Sequence, residues 1–410
     1  MSPVNDIFII IAMWLRGLLG PGGLNLDPSF VDVLMALIRA AVLGTFALLV
    51  FMLLTWVERK VVARMQDRLG PNLAGPWGIL QAIADGVKTM TKEDTTPAGA
   101  DVHVFNAAPI VAGAAAMIVY AVLPFGPNTG QGALIGADLN IGIFYILAVG
   151  AVSLIAILMA GWSSNNKYAL LGAFRGVAEL MSYEVPQVMS VVTIVMLTGT
   201  MQMTQIVEAQ TVPFILPLFA TALIFLISGV AESGRSPFDL VEAESEIVAG
   251  YHIEYSAMKF AMFFLGEYVH AFAVCAVFTA AFLNGWQGPI LPPYLWFFIK
   301  AMGVFFIMMW FRGTLPRFRI DQLMAFNWKF LVPLSLVNLL MVGIADTLLG
   351  KGLGLTSTSN PWAWGLSMFA VNLVVLFIAL GIFGRRARRR IEQSRITTRL
   401  PDEAVPVTAN

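Results

Sequence analysis

Leu43-Gly44-Thr45-Phe46-Ala47-Leu48-Leu49-Val50-Phe51-Met52-Leu53-Leu54, continued by Thr55-Trp56-Val57-Glu58-Arg59-Lys60, decides the fold class of this chain. The run lacks the apolar–polar alternation of a membrane barrel strand and reads as helix. It belongs to a stretch, 30–56, long enough at about 1.5 Å per residue to cross roughly 30 Å of hydrocarbon. Eight more stretches share its character: 102–123, 141–160, 185–200, 212–231, 257–283, 294–311, 330–349 and 364–383. Of these, 185–200 is short for a crossing and 257–283 is long enough to tilt. The cations behind the first run set a pattern for the whole chain. Segments 57–101, 161–184, 232–256, 312–329 and 384–410 hold 20 of the 25 Lys and Arg, whereas the alternate connections hold only Lys351. Loops rich in Lys and Arg stay on the cytoplasmic side. Nine crossings then place the N-terminus outside and the tail Arg385-Arg386-Ala387-Arg388-Arg389-Arg390 inside.

The expectation is an all-α polytopic membrane protein of about nine transmembrane helices, with eight as the lower count. Residues 1–29 read as an N-terminal interfacial segment rather than a cleaved signal, since no positive residue precedes Ile7–Leu15. Residues 30–383 form the helical domain, with cytoplasmic loops at 57–101, 161–184, 232–256 and 312–329. Residues 384–410 form a basic tail, loosely ordered from Ile391 onward. A chain 58% hydrophobic and 12% charged is no soluble globule, where charged residues approach roughly a quarter. Cys275, the single cysteine, reads as a small buried hydrophobe and builds no iron–sulfur, zinc or disulfide site. His103, His252 and His270 form no helical ligand pair, so no metal site is expected.

Three inside segments are long, mixed in sign and rich in Gly, Pro and aromatic residues. In the first, Lys60 and Arg64 suit the cytoplasmic end of a helix, but Glu58 is disfavoured there unless a cation answers it. Beyond Gly75-Pro76, the residues Trp77, Leu80, Ile83, Ala84 and Val87 share one helical face, with Gln81, Asp85 and Lys88 on the rest. This predicts a short amphipathic helix along the interface, either a lipid anchor or the wall of a cavity. Next comes Glu232-Ser233-Gly234-Arg235-Ser236-Pro237-Phe238-Asp239-Leu240-Val241-Glu242-Ala243-Glu244-Ser245-Glu246. Ser236, Pro237 and Asp239 fit a capped helix start. Helical spacing would then align Asp239, Glu242, Glu246, Gly250 and Glu254, with Glu244 off the stripe. Such carboxylates either face water as an ordinary acidic loop or share protons. Glu179 and Glu184 border the fourth span, Glu267 lies within the sixth and Asp346 near the end of the eighth. Ionisable groups at that depth mark pathways or buried pairs; His270, three residues on from Glu267, is its expected partner. Arg312, Arg317 and Arg319 around Asp321 make either a salt-bridged loop or a docking surface.

Together these segments resemble the H-type membrane subunits of bacterial proton-translocating NADH:quinone oxidoreductase, respiratory complex I. The resemblance rests on Glu58-Arg59-Lys60 through Gly70-Pro71-Asn72 and on Leu80 through Lys88. It continues in Ala231 through Asp239, Glu242 through Glu246, Glu254-Tyr255-Ser256, and Pro316-Arg317-Phe318-Arg319-Ile320-Asp321-Gln322-Leu323-Met324 to Trp328-Lys329. Gly234 departs from the larger polar residue expected there, and the basic tail looks like an extension.

The resemblance implies a subunit that binds no cofactor, with quinone as substrate and FMN and iron–sulfur clusters in partner subunits. Glu58, Arg59, Arg64, Arg68, Asp85, Arg235 and Phe238 would surround the quinone chamber. Glu179, Glu184, Glu232, Asp239, Glu242, Glu244, Glu246 and Glu254 would couple to protons. Arg312, Arg317, Arg319 and Asp321 would dock the soluble subunits that carry the quinone headgroup site and the terminal iron–sulfur cluster. The setting implied is a bacterial cell membrane, in contact with other membrane-arm subunits, lipid and no nucleic acid. A homologous subunit of a related hydrogenase or quinone-reducing dehydrogenase shares these features. A self-contained transporter would instead transport by itself without partners, and a purely structural anchor would leave the buried acids unexplained.

Overall fold

The structure, a computed structural model, describes residues 17, 28–127, 135–240, 248–357 and 359–397. Most of the N-terminal segment 1–29, the end of the tail, and Glu242, Glu244 and Glu246 lie outside the described residues. The described chain is helical: α1 (Pro28–Met65), α2 (Gln81–Thr91), α3 (Val102–Val119), α4 (Gly142–Ser163), α5 (Lys167–Thr198) and α6 (Met203–Glu208). Then follow α7 (Phe219–Glu232), α8 (Ala257–Phe282), α9 (Pro293–Thr314), α10 (Ile320–Phe326), α11 (Val332–Leu353) and α12 (Pro361–Thr397). A π-helical turn, Asn327–Leu331, joins α10 to α11.

Among the described residues eight helical runs are long and apolar enough to cross a membrane, the lower of the two counts. The last stretch does form a helix; it is the fifth, 212–231, that falls short. Pro213 and Pro217 supply no N–H to its first turns, so only the 14 residues of α7 are helical. The turn before it is tied elsewhere: Ile215 N donates to Phe282 O at 2.9 Å and Gln210 Nε2 to Ala280 O at 2.7 Å. Because α7 is short, its last residue, Glu232, stops level with the middle of α5. There Gln187 Nε2 donates to it at 2.5 Å, about 17 Å along the helix from Thr198.

Segment 161–184 is not a loop. Asn166 Oδ1 accepts from Tyr168 N at 2.9 Å, and from that cap α5 runs unbroken for 32 residues, about 48 Å. It therefore projects well past the hydrocarbon, carrying Glu179 and Glu184 on a rigid rod. α1 likewise continues to Met65, since nothing breaks it before Gly70-Pro71, and Glu58, Arg59 and Arg64 are helical. The tail also differs from expectation, because α12 stays helical to Thr397.

Helix α8 is the post of the bundle: 61% of its apolar window is buried, against 17% for α1 and for α12. Tyr120 stacks on its Phe272 at 6.1 Å and donates to Val269 O at 3.0 Å. On the outer flank, Asn372 Nδ2 donates to Pro217 O at 2.9 Å and Trp364 Nε1 to Asp346 Oδ1 at 3.0 Å. Asp346 is thereby a structural acceptor. The interfacial helix starts later than its apolar pattern implies. Pro76–Gly78 is a 3-10 turn with Trp77 at φ 60°, and α2 begins at Gln81. A Cβ at Gly78 (φ 77°) would collide with the Pro71 carbonyl, so the turn requires glycine. Ile83, Val87 and Met90 face outward, as an interfacial helix needs.

Lys300 Nζ donates to the carbonyls of Leu283, Gly285 and Gln287 at 2.8, 3.0 and 2.8 Å. One ammonium thus satisfies the turn that ends α8, where carbonyls facing hydrocarbon would each be costly. Lys300→Met should cost about 2–4 kcal/mol, read as a lowered thermal midpoint of the detergent-purified protein. An unchanged midpoint would show that the ammonium does not hold this turn.

Candidate functional site

The site begins where α1 leaves the hydrocarbon. Glu58 is 4% exposed, and a carboxylate there requires cations. Arg235 Nη1 donates to both its oxygens, at 2.8 and 2.7 Å, and Arg312 Nη1 donates to Oε1. Arg235 is shared: its Nε lies 3.1 Å from Glu267 Oε1, and its guanidinium sits over the Tyr268 ring at 4.0 Å. Two carboxylates and two guanidinium groups from α1, α8, α9 and the turn after α7 thus form one neutral cluster. Paired in this way, the charges offset the several kcal/mol that each would cost if buried alone.

On one side of the cluster lies a cavity of about 950 Å³, bounded by Glu58, Arg59, Arg68, Gln81, Tyr268 and Arg312. Arg59 Nη1 meets Asp85 Oδ2 at 2.6 Å and Gln81 Nε2 donates to Asp85 Oδ1 at 3.3 Å, fastening α2 along the rim. Glu58, Val62 and Met65 share the cavity face of α1 at i, i+4 and i+7. Arg64 falls on the opposite side of the helix and is exposed. Phe238 does not line the cavity either; it is buried between Tyr183 and Phe318, at ring distances of 5.4 and 6.1 Å.

Across the cluster lies an inner cavity of about 90 Å³, bounded by Glu232, Ser233, Gly150, Ser153, Glu267 and His270. Most of its remaining wall is apolar, from Ala112, Ala116, Val149, Ile157, Leu180 and Phe263. It is large enough for several waters, which Glu232, Ser233, Glu267 and His270 can bind. Glu232 Oε1 lies 3.3 Å from His270 Nε2. His270 therefore faces Glu232 and not Glu267, because Arg235 has taken Glu267. Gly150 leaves room for this pair, since a Cβ there would lie 3.3 Å from Glu232 Oε1. Glu184, one turn before Gln187 on α5, is within electrostatic reach of both Glu232 and His270.

Glu179 is fully buried, and neither carboxylate oxygen accepts a hydrogen bond among the described residues. Arg175 and Asp239 are its charged neighbours. Residues 236–240 are not helical, and Asp239 accepts from Arg317 Nη2 at 2.7 Å. Glu254 accepts from Asn166 Nδ2 at 2.7 Å, about 20 Å along α5 from Glu179, and lies apart from the others. The described ends of the expected acidic stripe are not one helix, since Gly250–His252 is a 3-10 turn. Around that turn burial pushes His252 down to about 4 and Tyr255 up to about 12, favouring the neutral form of each. Of the four expected docking residues, Arg312 and Arg317 are engaged by Glu58 and Asp239, while Arg319 and Asp321 are exposed. Among the described residues no group of three or more His, Cys, Asp or Glu could hold a metal ion.

Gln187, and the joint role of Arg235 and Arg312, are missed by reading the sequence alone. Glu58 and Arg235 stand 177 residues apart; the local sign is a carboxylate at the membrane border, and the adjacent Arg59 and Lys60 turn instead to Asp85 and Asn72.

The fold and site define a polytopic membrane protein with a large polar chamber at one face and buried charges leading inward from it. The family described as NADH dehydrogenase matches residues 38–343. The H-type subunit of the NADH-quinone oxidoreductase of Dehalococcoides mccartyi is 52% identical over 305 residues, covering 74% of this chain and 85% of that protein. An H-type subunit of the same enzyme from Geobacter sulfurreducens is 48% identical over 326 residues, covering 78% of this chain and 98% of its own. The corresponding protein of Brevibacillus brevis is 45% identical over 324 residues, covering 77% and 95%. The chain belongs to this family of H-type membrane subunits of NADH-quinone oxidoreductase.

The cluster makes a stability prediction. Arg235→Met leaves Glu267 buried without its cation and should cost about 3–5 kcal/mol. Adding Glu267→Gln removes the orphaned charge and should recover part of that loss in the thermal midpoint of the assembled complex. A double variant as unstable as the sum of the two singles would show that Arg235 and Glu267 are not coupled.

Proposed function

We propose that this chain forms the membrane wall of the quinone chamber and passes the charge change of quinone reduction inward to Glu232. The observation that carries the reading is Arg235, held between Glu58 on the chamber side and Glu267 on the inner cavity. The larger cavity is this chain's part of the chamber, leading to a headgroup site carried by the soluble subunits, and the outward apolar face of α2 flanks the lipid-side opening. An isoprenoid tail favours the bilayer by roughly 0.8 kcal/mol per buried CH₂, so the opening faces lipid.

Reduction adds two electrons and two protons to the quinone, giving the quinol. The electrons come from an iron–sulfur cluster in a soluble partner, with FMN further upstream. While the added charge stands in the chamber, it competes with Glu58 for Arg235 and Arg312. A guanidinium drawn towards the chamber leaves Glu267, and the field at Glu232 and His270 across the inner cavity changes. Each pKa unit of such a change is about 1.4 kcal/mol. Glu184, Glu179 and Asp239 continue the acidic series, as do Glu242, Glu244 and Glu246 in the segment between. Arg319 and Asp321 offer a docking surface to the soluble subunits, while the lipid-facing helices offer contacts to other membrane-arm subunits. The short α7 and the turn after it carry the chain from the Phe282 end of α8 to the Arg317 segment, which keeps an odd number of passages. With the placement of basic residues, this supports an N-terminus outside and a C-terminus inside a bacterial cell membrane.

Glu232→Gln and His270→Gln keep the size and hydrogen-bonding capacity of the inner pair while removing its titration. In fully assembled complexes each should lower quinone reduction and proton pumping together, by about tenfold, the rate equivalent of ~1.4 kcal/mol. Near-normal reduction and pumping in both variants would contradict the reading.

A further inference from the structure

The family match ends at residue 343, inside α11, so α12 lies wholly beyond it. These two helices enclose a groove of about 540 Å³ with almost no polar wall. α11 and the π turn contribute Lys329, Val337 and Met341; α12 contributes Ala370, Val374 and Phe383. From Lys329 to Met341 the groove extends about 18 Å, close to one leaflet of a roughly 30 Å hydrocarbon core.

Its two ends differ in chemistry. Lys329 stands at the rim of the end nearest the quinone chamber, exposed, on the wide turn of the π helix. No ion pair to it is made among the described residues. The exposed Trp328 beside it, whose Nε1 donates to Ser182 Oγ at 3.3 Å, suits the interface. Across the rim, Phe383 is followed two residues later by the exposed Arg385, which opens the run Arg385-Arg386-Ala387-Arg388-Arg389-Arg390. No acidic residue lies among the groove walls. The far end, by Met341 and Ala370, is apolar.

We propose that this groove is a binding site for one anionic phospholipid, its acyl chain lying between α11 and α12 and its phosphate held at the rim where Lys329 and Arg385 stand. Phosphate is the matching group for a lysine and an arginine at one rim of a membrane groove. A zwitterionic lipid would fill the groove equally well but would carry a cation of its own to the rim. The site is separate from the quinone chamber and does not rest on the function proposed for it.

The test uses the assembled complex in nanodiscs containing phosphatidylglycerol with a photoreactive group on its acyl chain, or phosphatidylcholine with the same chain. After illumination, adducts on α11 and α12 peptides are measured by mass spectrometry. The expected result is about fivefold more adduct from phosphatidylglycerol, the factor for ~1 kcal/mol per basic residue at an anionic surface. Lys329→Gln should reduce that preference, Lys329→Arg should keep it, and Ala370→Trp should remove the adduct by filling the groove. Equal labelling by the two lipids would overturn the proposal, and the comparison needs no variant. So would a preference unchanged in Lys329→Gln, or a neighbouring subunit's helix cross-linked at Ala370→Cys.

Discussion

The guanidinium of Arg235 has to satisfy two carboxylates at once, and most of the architecture around the site follows from that constraint. Glu58 enters from α1 and Glu267 from α8, and neither position is tolerable in a low-dielectric interior without a cation. The chain after α7 brings Arg235 to both of them, and it can do so because α7 ends early. A full-length fifth span would carry Glu232 to the membrane surface, and the turn bearing Arg235 with it. Instead Pro213 and Pro217 shorten the helix, Glu232 stops beside Gln187 and His270, and residues 233–240 descend between α1, α5 and α8. Arg312 completes the neutrality from α9.

A cluster balanced in this way is stable and easily biased. Two acids and two bases offset one another, so a new negative charge in the outer cavity meets cations that already have competing partners. The inner cavity supplies the other condition: room for water between Glu267 and the Glu232–His270 pair, polar groups set in a largely apolar wall. The remainder of the bundle is built for rigidity. α5 carries its acids on one long helix, α8 is buried along most of its length, and Lys300 closes the turn on the opposite face.

Much of the fold is legible in the sequence, because crossing a bilayer demands long apolar runs and the basic residues mark one face. The same signals cannot separate a loop from a helix that projects out of the membrane, which is why 161–184 reads as a connection although α5 runs through it. The acids and cations of the site are legible as residues out of place: Glu58 at a helix end, Glu267 and His270 at membrane depth. Their pairing is not. His270 is the neighbour of Glu267 in sequence, yet the contacts go to Arg235 and Glu232, since side chains from other helices come closer than one three residues along. Phe238 sits within a motif yet packs between Tyr183 and Phe318, away from the outer cavity. Arg64 shares a segment with Glu58 but turns away from the chamber on the opposite side of α1.

The claim at the centre of this account is that charge in the outer cavity reaches Glu232 through Arg235 and Glu267. Infrared difference spectroscopy of the assembled complex, comparing oxidised with reduced quinone, tests it most directly. The carboxyl signal of Glu232, identified by its loss in Glu232→Gln, should appear on reduction and be strongly diminished in assembled Glu267→Gln. A Glu232 signal absent from the unaltered complex, or undiminished without the Glu267 carboxylate, would contradict the account.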